Sequence, residues 1–467
     1  MSSREELNAT APEEEGSTPN RDLLTDHDTI AAVATPSGSG GVGIVRLSGS
    51  RAIDIARHIS SRPTFDERVA HHTRFLDKKG SVIDDGLVIV FVAPRSFTGQ
   101  DCVELQGHGG PIVLAQLLRR CLDLGARQAR PGEFSERAFL NNKIDLVQAE
   151  AIADLIAANT EMAAKQAQAS LSGVFSDSVH AISRDITALR VYVEAALDFP
   201  EEDVDFLSDG QVTGTLQDII TAVDALLGRA REGALVQTGA TLVLAGKPNA
   251  GKSSLLNALS GDDVAIVTEI PGTTRDLLKE TVTLAGIPFQ LIDTAGLRYS
   301  DDPIEQEGVR RAEKAIDQAD ITLQILDDSE DPISAPVNPA PNTLLIFNKI
   351  DLSGRPPGVF KQDGIDAVAL SARTGEGIDA LKATLLKKLG LRDDSENRFS
   401  ARERHIQALE DTFASLDACQ ARFSVSGAGE LLAEDLKAAH DLLGTITGTL
   451  SNDALLGEIF SSFCIGK

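Results

Sequence analysis

The sequence predicts a multidomain chain: an α+β domain at the N-terminus, an all-α helical domain, and an α/β domain inserted into the helical one. Three observations predict it. Across 27–143, short apolar β-type runs are separated by Gly and Pro turns. Across 144–237 and again across 392–467, apolar residues recur at helical spacings of three and four. Across 238–391, strand and helix patterns alternate. Helical segments on both sides of an α/β stretch mark that stretch as the insertion.

The first 26 residues are acidic and polar, and they predict a disordered tail rather than a secretory signal or an Arg-rich transit peptide. In the N-terminal domain IAAVAT, VGIVRLSG and GLVIVFVA read as strands, and IVLAQLLRRCLDLG reads as a helix stopped by Gly125. In the first helical part Val179, Ile182, Ile186, Leu189, Val193 and Leu197 form one stripe, and Val212, Leu216, Ile219, Val223 and Leu226 another. In the α/β part TLVLAG, PFQLID, ITLQIL, TLLIFN and AVALSA are short strands, and the spacing predicts a parallel sheet with crossover helices. The Pro-rich DPISAPVNPAPN reads as a surface loop inside it. In the second helical part Leu431, Leu432, Leu436, Ala439, Leu442 and Leu443 are expected on one stripe.

The formal net charge is -26, which argues against a self-sufficient basic nucleic-acid face; any RNA contact needs a local patch or a basic partner. The four cysteines form no CxxC pair and read as thiols of a reducing compartment. No apolar run approaches the roughly 20 residues of a membrane span. The simplest expectation is a cytoplasmic protein.

The chemistry concentrates in the inserted domain. Gly246, Lys247, Pro248, Asn249, Ala250, Gly251, Lys252 and Ser253 match GxxxxGK[ST] between a strand and the helix SSLLNALS. Such a loop wraps phosphates in backbone N–H groups at a helix N-terminus. Lys252 is placed to reach the β and γ phosphates and Ser253 to bind magnesium, with Ser254 beside it. Asp293, Thr294, Ala295 and Gly296 follow the strand PFQLI, where an Asp supports the magnesium shell and the Gly296 N–H senses the γ-phosphate. Thr273 and Thr274 lie between these motifs in PGTTRD; Thr274 is favoured as the second magnesium ligand. Asn348, Lys349, Ile350 and Asp351 follow the strand TLLIF. The Asp351 carboxylate can accept both the ring N–H and the exocyclic amine of guanine, a donor pair that adenine lacks. Ser371, Ala372 and Arg373 follow the next strand, where a backbone N–H meets the guanine oxygen. Four motifs in this order point to a GTP-hydrolysing site. A water-orienting glutamine after the Asp293 motif is replaced by Leu297, so another group must orient the water.

These motifs, with DTIAAVATPSGSGGVGIVRLSG, VELQGHGG, RPGEFSERAFLNNKIDLVQAEAIADLI and the terminal FCIGK, make the chain resemble the MnmE/TrmE family of tRNA modification GTPases over nearly everything after the acidic tail. Ser39 departs from the arginine frequent in relatives. The resemblance implies an N-terminal domain similar to folate-binding domains, which dimerises and takes a tetrahydrofolate one-carbon donor (a 5-formyl or methylene form). Arg46, Glu104 and Lys143 stand at the matching positions, with Lys467 nearby. It implies GTPase domains that meet across potassium held near Asn249, Thr268, Ile270 and Thr273, and Glu305 as the residue orienting the water. It further implies a homodimer that works with an FAD-dependent partner protein. Together they add a carboxymethylaminomethyl- or aminomethyl-type group at C5 of the wobble uridine of certain tRNAs. Cys464 is expected on a flexible end, where Lys467 can favour its thiolate, as a catalytic thiol.

Blander readings stand beside these: Arg46 and Glu104 as a structural ion pair, Glu305 in a solvated acidic loop, Cys464 as a buried small hydrophobe. Two other functions also fit parts of the chain, a ribosome-assembly-type GTPase and a folate-dependent one-carbon transferase with a regulatory GTPase insert.

Overall fold

The computed structural model describes residues 28–198, 210–260, 279–284, 286–293, 319–330, 342–390, 399–450 and 453–466. The chain divides into two compact units. One comprises Met1–Ile144 with Asp453–Lys467, the other Asp145–Asn452.

The first unit is built on a six-stranded sheet. Its strands are β1 Ile30–Val33, β2 Gly40–Ser48, β3 His71–Leu76, β4 Val82–Phe91, β5 Cys102–Gly109 and β6 Arg127–Gln128, in the order β3-β4-β5-β2-β1-β6. All neighbours are antiparallel except β1 and β6. Alternation along the strands serves two faces. Ala31, Val45, Leu47, Val103 and Leu105 pack with α1 (Ala52–Ser60) and α2 (Pro111–Asp123). Ile30 and Ala32 instead pack with Phe134 of α3 (Glu133–Leu140). Gly125 takes φ 96 just past α2, a turn a side chain rarely adopts.

The helix Asp453–Ser461 and the tail behind it belong to this unit and not to the second helical part. Phe460 lies 6.4 Å from Phe139 of α3, and Ile465 forms a β-bridge with Pro131. Two glycines admit this docking. A Cβ on Gly132 (φ 66) would stand 2.5 Å from the Phe460 carbonyl oxygen, and one on Gly466 (φ 96) 2.3 Å from that of Val33.

In the second unit α4 (Leu146–Ala157), α5 (Glu161–Leu171), α6 (Val174–Asp198) and α7 (Gln211–Thr238) precede the α/β part. The latter contains β7 (Ala240–Gly246), α8 (Lys252–Ser260), β8 (Lys279–Leu284), β9 (Ile287–Asp293), β10 (Ile321–Asp327), β11 (Thr343–Asn348), α9 (Ile350–Ser353), β12 (Gly358–Gln362), β13 (Ile365–Ala369) and α10 (Ile378–Lys388). Then α11 (Glu403–Ser426) and α12 (Gly429–Thr447) return to the helical part. One core joins the expected stripes of α6 and α7 to Leu409 and Leu416 of α11 and Leu432, Leu436, Ala439 and Leu443 of α12. Leu431 departs from its expected stripe and is 50% exposed, because neighbouring helical residues point about 100° apart.

The sheet order is β12-β13-β11-β10-β7-β9-β8. The five expected strands are its parallel interior. The sequence reading passed over the two edges, β8 and β12, which run antiparallel to their neighbours. KETVTL and GVFKQ are charged and lack the continuous apolar run of strands buried on both faces. The Pro-rich stretch at 331–341 lies outside the described residues. Among the described residues no helix is long and apolar enough to cross a membrane.

Candidate functional site

Because β7, β9, β10, β11 and β13 run parallel, their carboxyl ends share one sheet edge, where such sheets bind ligands. Gly246 ends β7, Asp293 ends β9 and Asn348 ends β11, so sequence-distant motifs meet there. A Cβ on Gly246 (φ 150) would lie 2.4 Å from the Ile325 carbonyl oxygen of β10. One on Gly251 (φ 96) would lie 2.2 Å from the Asn348 Nδ2. Both loop glycines are therefore demanded by close approach as well as by dihedral angle. Between them Asn249 is exposed and left-handed (φ 67), and Ala250 is buried. Lys252 opens α8 with its stem buried; its Nζ donates to the carbonyls of Gly246 (2.8 Å) and Lys247 (3.0 Å), which keeps the ammonium over the loop. Ser253 and Ser254 are exposed in the first turn of α8.

Asn348 clamps three motifs. Its Nδ2 donates to the Ala250 carbonyl (2.9 Å), and its Oδ1 accepts the Ala372 N–H (3.0 Å). Lys349, in the left-handed region (φ 69), donates Nζ to Asp327 Oδ2 at 2.5 Å. Burial pushes the Asp327 carboxyl up, but the Lys349 and Ser329 bonds outweigh it and hold it low. Asp351 receives the Ser371 hydroxyl on Oδ1 at 2.7 Å and the Arg373 guanidinium on Oδ2 at 2.6 Å. The Ser371 bond first, and Arg373 after it, hold the Asp351 carboxyl below its ordinary range despite partial desolvation. It is thus an ionised acceptor, oriented from behind by Ser371, as reading two adjacent N–H groups of guanine requires.

The expected site residues Thr268, Ile270, Thr273, Thr274, Thr294, Ala295, Gly296 and Glu305, with Leu297 and Lys467, lie outside the described residues. Asp327 was missed by sequence reasoning. Its signal was the Asp pair closing the strand ITLQIL, which puts a carboxylate at the same sheet edge as Lys349.

In the first unit, Arg46 of β2 and Glu104 of β5 are register partners and form an ion pair at 2.9 Å. Glu104 Oε2 also accepts Gln106 Nε2 (3.1 Å). The Arg46 guanidinium lies 5.9 Å from the ring centroids of both Phe97 and Phe134. Gly99, two residues beyond Phe97, faces Lys143, whose Nζ donates to the Pro94 carbonyl (3.1 Å). One loop thereby links two expected positions, Arg46 and Lys143, and Arg46 holds the third, Glu104. The tail reaches the same place: Arg46 Nη1 donates to the Gly466 carbonyl (3.5 Å), and the Cys464 carbonyl accepts the Gly132 N–H (3.4 Å). The Cys464 thiol is exposed, so the reading of it as a buried small hydrophobe fails. A carboxylate and a guanidinium thus meet at one half-buried spot, with the Phe97 ring beside the guanidinium.

Two family descriptions match this chain: the MnmE helical domain over 146–464, and the N-terminus of the GTP-binding protein TrmE over 29–143. The tRNA modification GTPase MnmE of Pseudomonas aeruginosa (strain UCBPP-PA14) is 52% identical over 451 residues, which is 94% of this chain and 99% of that protein. That of Pseudomonas fluorescens (strain Pf0-1) is 52% identical over 457 residues, 95% of this chain and 100% of that protein. Among solved structures, the G domain of the T. maritima FeoB iron transporter is 27% identical, covering 32% of this chain and 98% of that one, with a TM-score of 0.23.

Proposed function

Because the chain belongs to the MnmE family of tRNA modification GTPases, we propose that it hydrolyses GTP in a potassium-dependent manner to drive C5 modification of the wobble uridine of certain tRNAs. The observation that carries this reading is the Asn348 clamp, which holds the phosphate loop and the Ala372 N–H in one frame, next to the Asp351 carboxylate that Ser371 holds.

In this reading the backbone of 247–251 surrounds the phosphates, and Lys252 turns from its two loop carbonyls toward the β and γ oxygens. Ser253 and Thr274 would hold magnesium, which neutralises phosphate charge. Asn249, Thr268, Ile270 and Thr273 would hold potassium, which supplies the positive charge an arginine finger brings elsewhere. Asn249 fits that role as an exposed side chain on a left-handed loop position. Glu305 orients the attacking water in place of the glutamine that Leu297 replaces.

In the first unit Arg46, Glu104, Lys143 and Lys467 would bind a tetrahydrofolate derivative, which supplies the one-carbon unit. Cys464, on the docked tail, acts at the same place. The working assembly is a cytoplasmic homodimer with an FAD-dependent partner. That partner supplies basic tRNA-binding surface that a chain of net charge -26 lacks overall.

The test is hydrolysis in potassium and sodium salts at equal ionic strength, with Glu305→Ala alongside. Potassium is expected to accelerate turnover and sodium not to, while Glu305→Ala loses turnover and keeps GTP binding. Equal rates in both salts refute the potassium assignment, and a large affinity loss in Glu305→Ala makes that residue structural.

A further inference from the structure

The α/β part leaves the helical part through α7 and returns through residues 399–402, and these crossings touch. A Cβ on Gly233 of α7 would stand 2.1 Å from the Phe399 carbonyl oxygen. Phe399 stacks on Phe175 of α6 with ring centroids 4.4 Å apart. The return segment is therefore seated against the helical core.

Helix α5 lies against both parts. Its first turn belongs to the α/β core: Met162 and Ala163 pack on the cluster built from β7, β9 and their neighbours. Met162 covers Gly286 (φ 83) in the turn between β8 and β9 so closely that a Cβ there would lie 3.0 Å from the Met162 Cβ and 3.1 Å from its Cε. The later turns of α5 grip the return segment. The Ser400 N–H donates to the Gln166 carbonyl (3.3 Å), the Ser170 hydroxyl donates to the Ser400 carbonyl (3.0 Å), and the two hydroxyls are 3.1 Å apart. Just beyond, Arg402 pairs with Asp154 of α4 (2.6 Å), and Arg404 and His405 meet Glu150 (2.6 and 3.0 Å).

Two features make this contact more than packing. The β8–β9 hairpin joins the two phosphate-sensing stretches of the sequence, since PGTTRD precedes β8 and Asp293 closes β9. A nucleotide that repositions either stretch pulls on the strand whose turn Met162 covers. At the other end of α5, Gln166 is 3% exposed, and neither its Nε2 nor its Oε1 has a hydrogen-bond partner among the described residues. A buried amide with unused capacity beside a serine pair lets the joint exchange partners at little cost when α5 shifts.

We propose that α5 is the coupling lever of the protein: Met162 reads the β8–β9 turn, and Gln166 and Ser170 pass its position to the return segment and so to α11. This rests on the GTPase reading above and adds the residues through which nucleotide state reaches the helical part. Met162 packs on the β8–β9 turn; it is a positioning residue, and its effect is a coupling between two sites.

The experiment is amide hydrogen exchange of the segment 399–409 in the full chain, with and without a non-hydrolysable GTP analogue, in the unmodified protein, Met162→Ala and Met162→Leu. Analogue affinity and thermal midpoint are measured in parallel. The unmodified protein is expected to change exchange in this segment at least about fivefold on binding. Met162→Ala is expected to lower the midpoint modestly, keep its affinity and lose that response, with exchange in the free state unchanged, and Met162→Leu to restore it. An unmodified protein that binds the analogue without a response in 399–409, or a Met162→Ala variant that responds like it, overturns the lever. A lower midpoint in Met162→Ala with exchange raised in both states makes Met162 a packing residue and likewise overturns it. Failure of the unmodified protein to bind the analogue overturns the GTPase reading itself, and the lever with it.

Discussion

Asn348 and Ala250 are joined by a 2.9 Å hydrogen bond, side-chain Nδ2 to carbonyl oxygen, across 98 residues of sequence. The same amide holds Ala372, so one buried side chain fixes the distance between the phosphate loop and the base-reading loop. Replacing it leaves buried backbone groups without partners, at about 1–3 kcal/mol. Asn348→Ala is therefore expected to weaken GTP binding roughly tenfold to a hundredfold. Titration with a fluorescent GTP analogue checks this, and an unchanged affinity would show the clamp to be dispensable.

Asp351 is an ionised acceptor held by Ser371. Asp351→Asn replaces one acceptor oxygen with a donor N–H₂, which opposes the guanine N–H pair and matches the 2-oxo group of xanthine. The variant is expected to move its preference from GTP toward XTP. Competition of the two nucleotides for one site is the measurement, and an unchanged GTP preference would refute the base-reading role.

Acid is expected to loosen the helical part through one cluster. Burial pushes the Glu150 carboxyl up, but His405 and Arg404 outweigh it and hold it at about 2. Burial, with Arg404 and Arg402 acting the same way, holds His405 below its ordinary 6.5 against the pull of Glu150. Both groups bind protons more readily when unfolded, so stability is full above about pH 6.5 and falls as pH drops below it. The His405 contribution fades first; that of Glu150 fades between the ordinary carboxylate range and about 2. Glu150→Gln is expected to cost about 3 kcal/mol at neutral pH by stranding the buried partners, and to flatten the acid limb below pH ~4.5. Thermal unfolding across pH reads both effects.

Cys464 holds the tail through its carbonyl, which bonds Gly132, and leaves its thiol exposed. Cys464→Ser keeps that backbone bond. The variant is expected to lose tRNA modification while GTP hydrolysis and dimerisation persist. Hydrolysis rate and wobble-uridine content measured in the same variant decide: a fall in both makes Cys464 a fold residue, and a fall in neither makes the thiol dispensable.

The interior of the nucleotide-binding sheet was legible because strands buried on both faces must be apolar throughout, as TLLIF is. Its edges were not, since edge strands such as KETVTL carry charge. The loop glycines were legible as a motif; that Gly251 is also pressed by Asn348 is a tertiary fact with no local signature. The docking of the tail was hidden for the same reason. FCIGK follows a helical stripe in sequence, and the residues that receive it, Pro131, Gly132, Arg46 and Val33, lie more than 300 residues away. Glu150 lies on an apolar helix, LVQAEAIADLIA, as the one glutamate, and its partners come from the far side of the insertion.

The most direct test is the nucleoside content of tRNA from a strain lacking this protein, with and without the gene restored, read by mass spectrometry. Loss of the C5-substituted wobble uridine on deletion, and its return with the restored chain, is the expected result. A nucleoside profile unchanged by deletion would contradict the account.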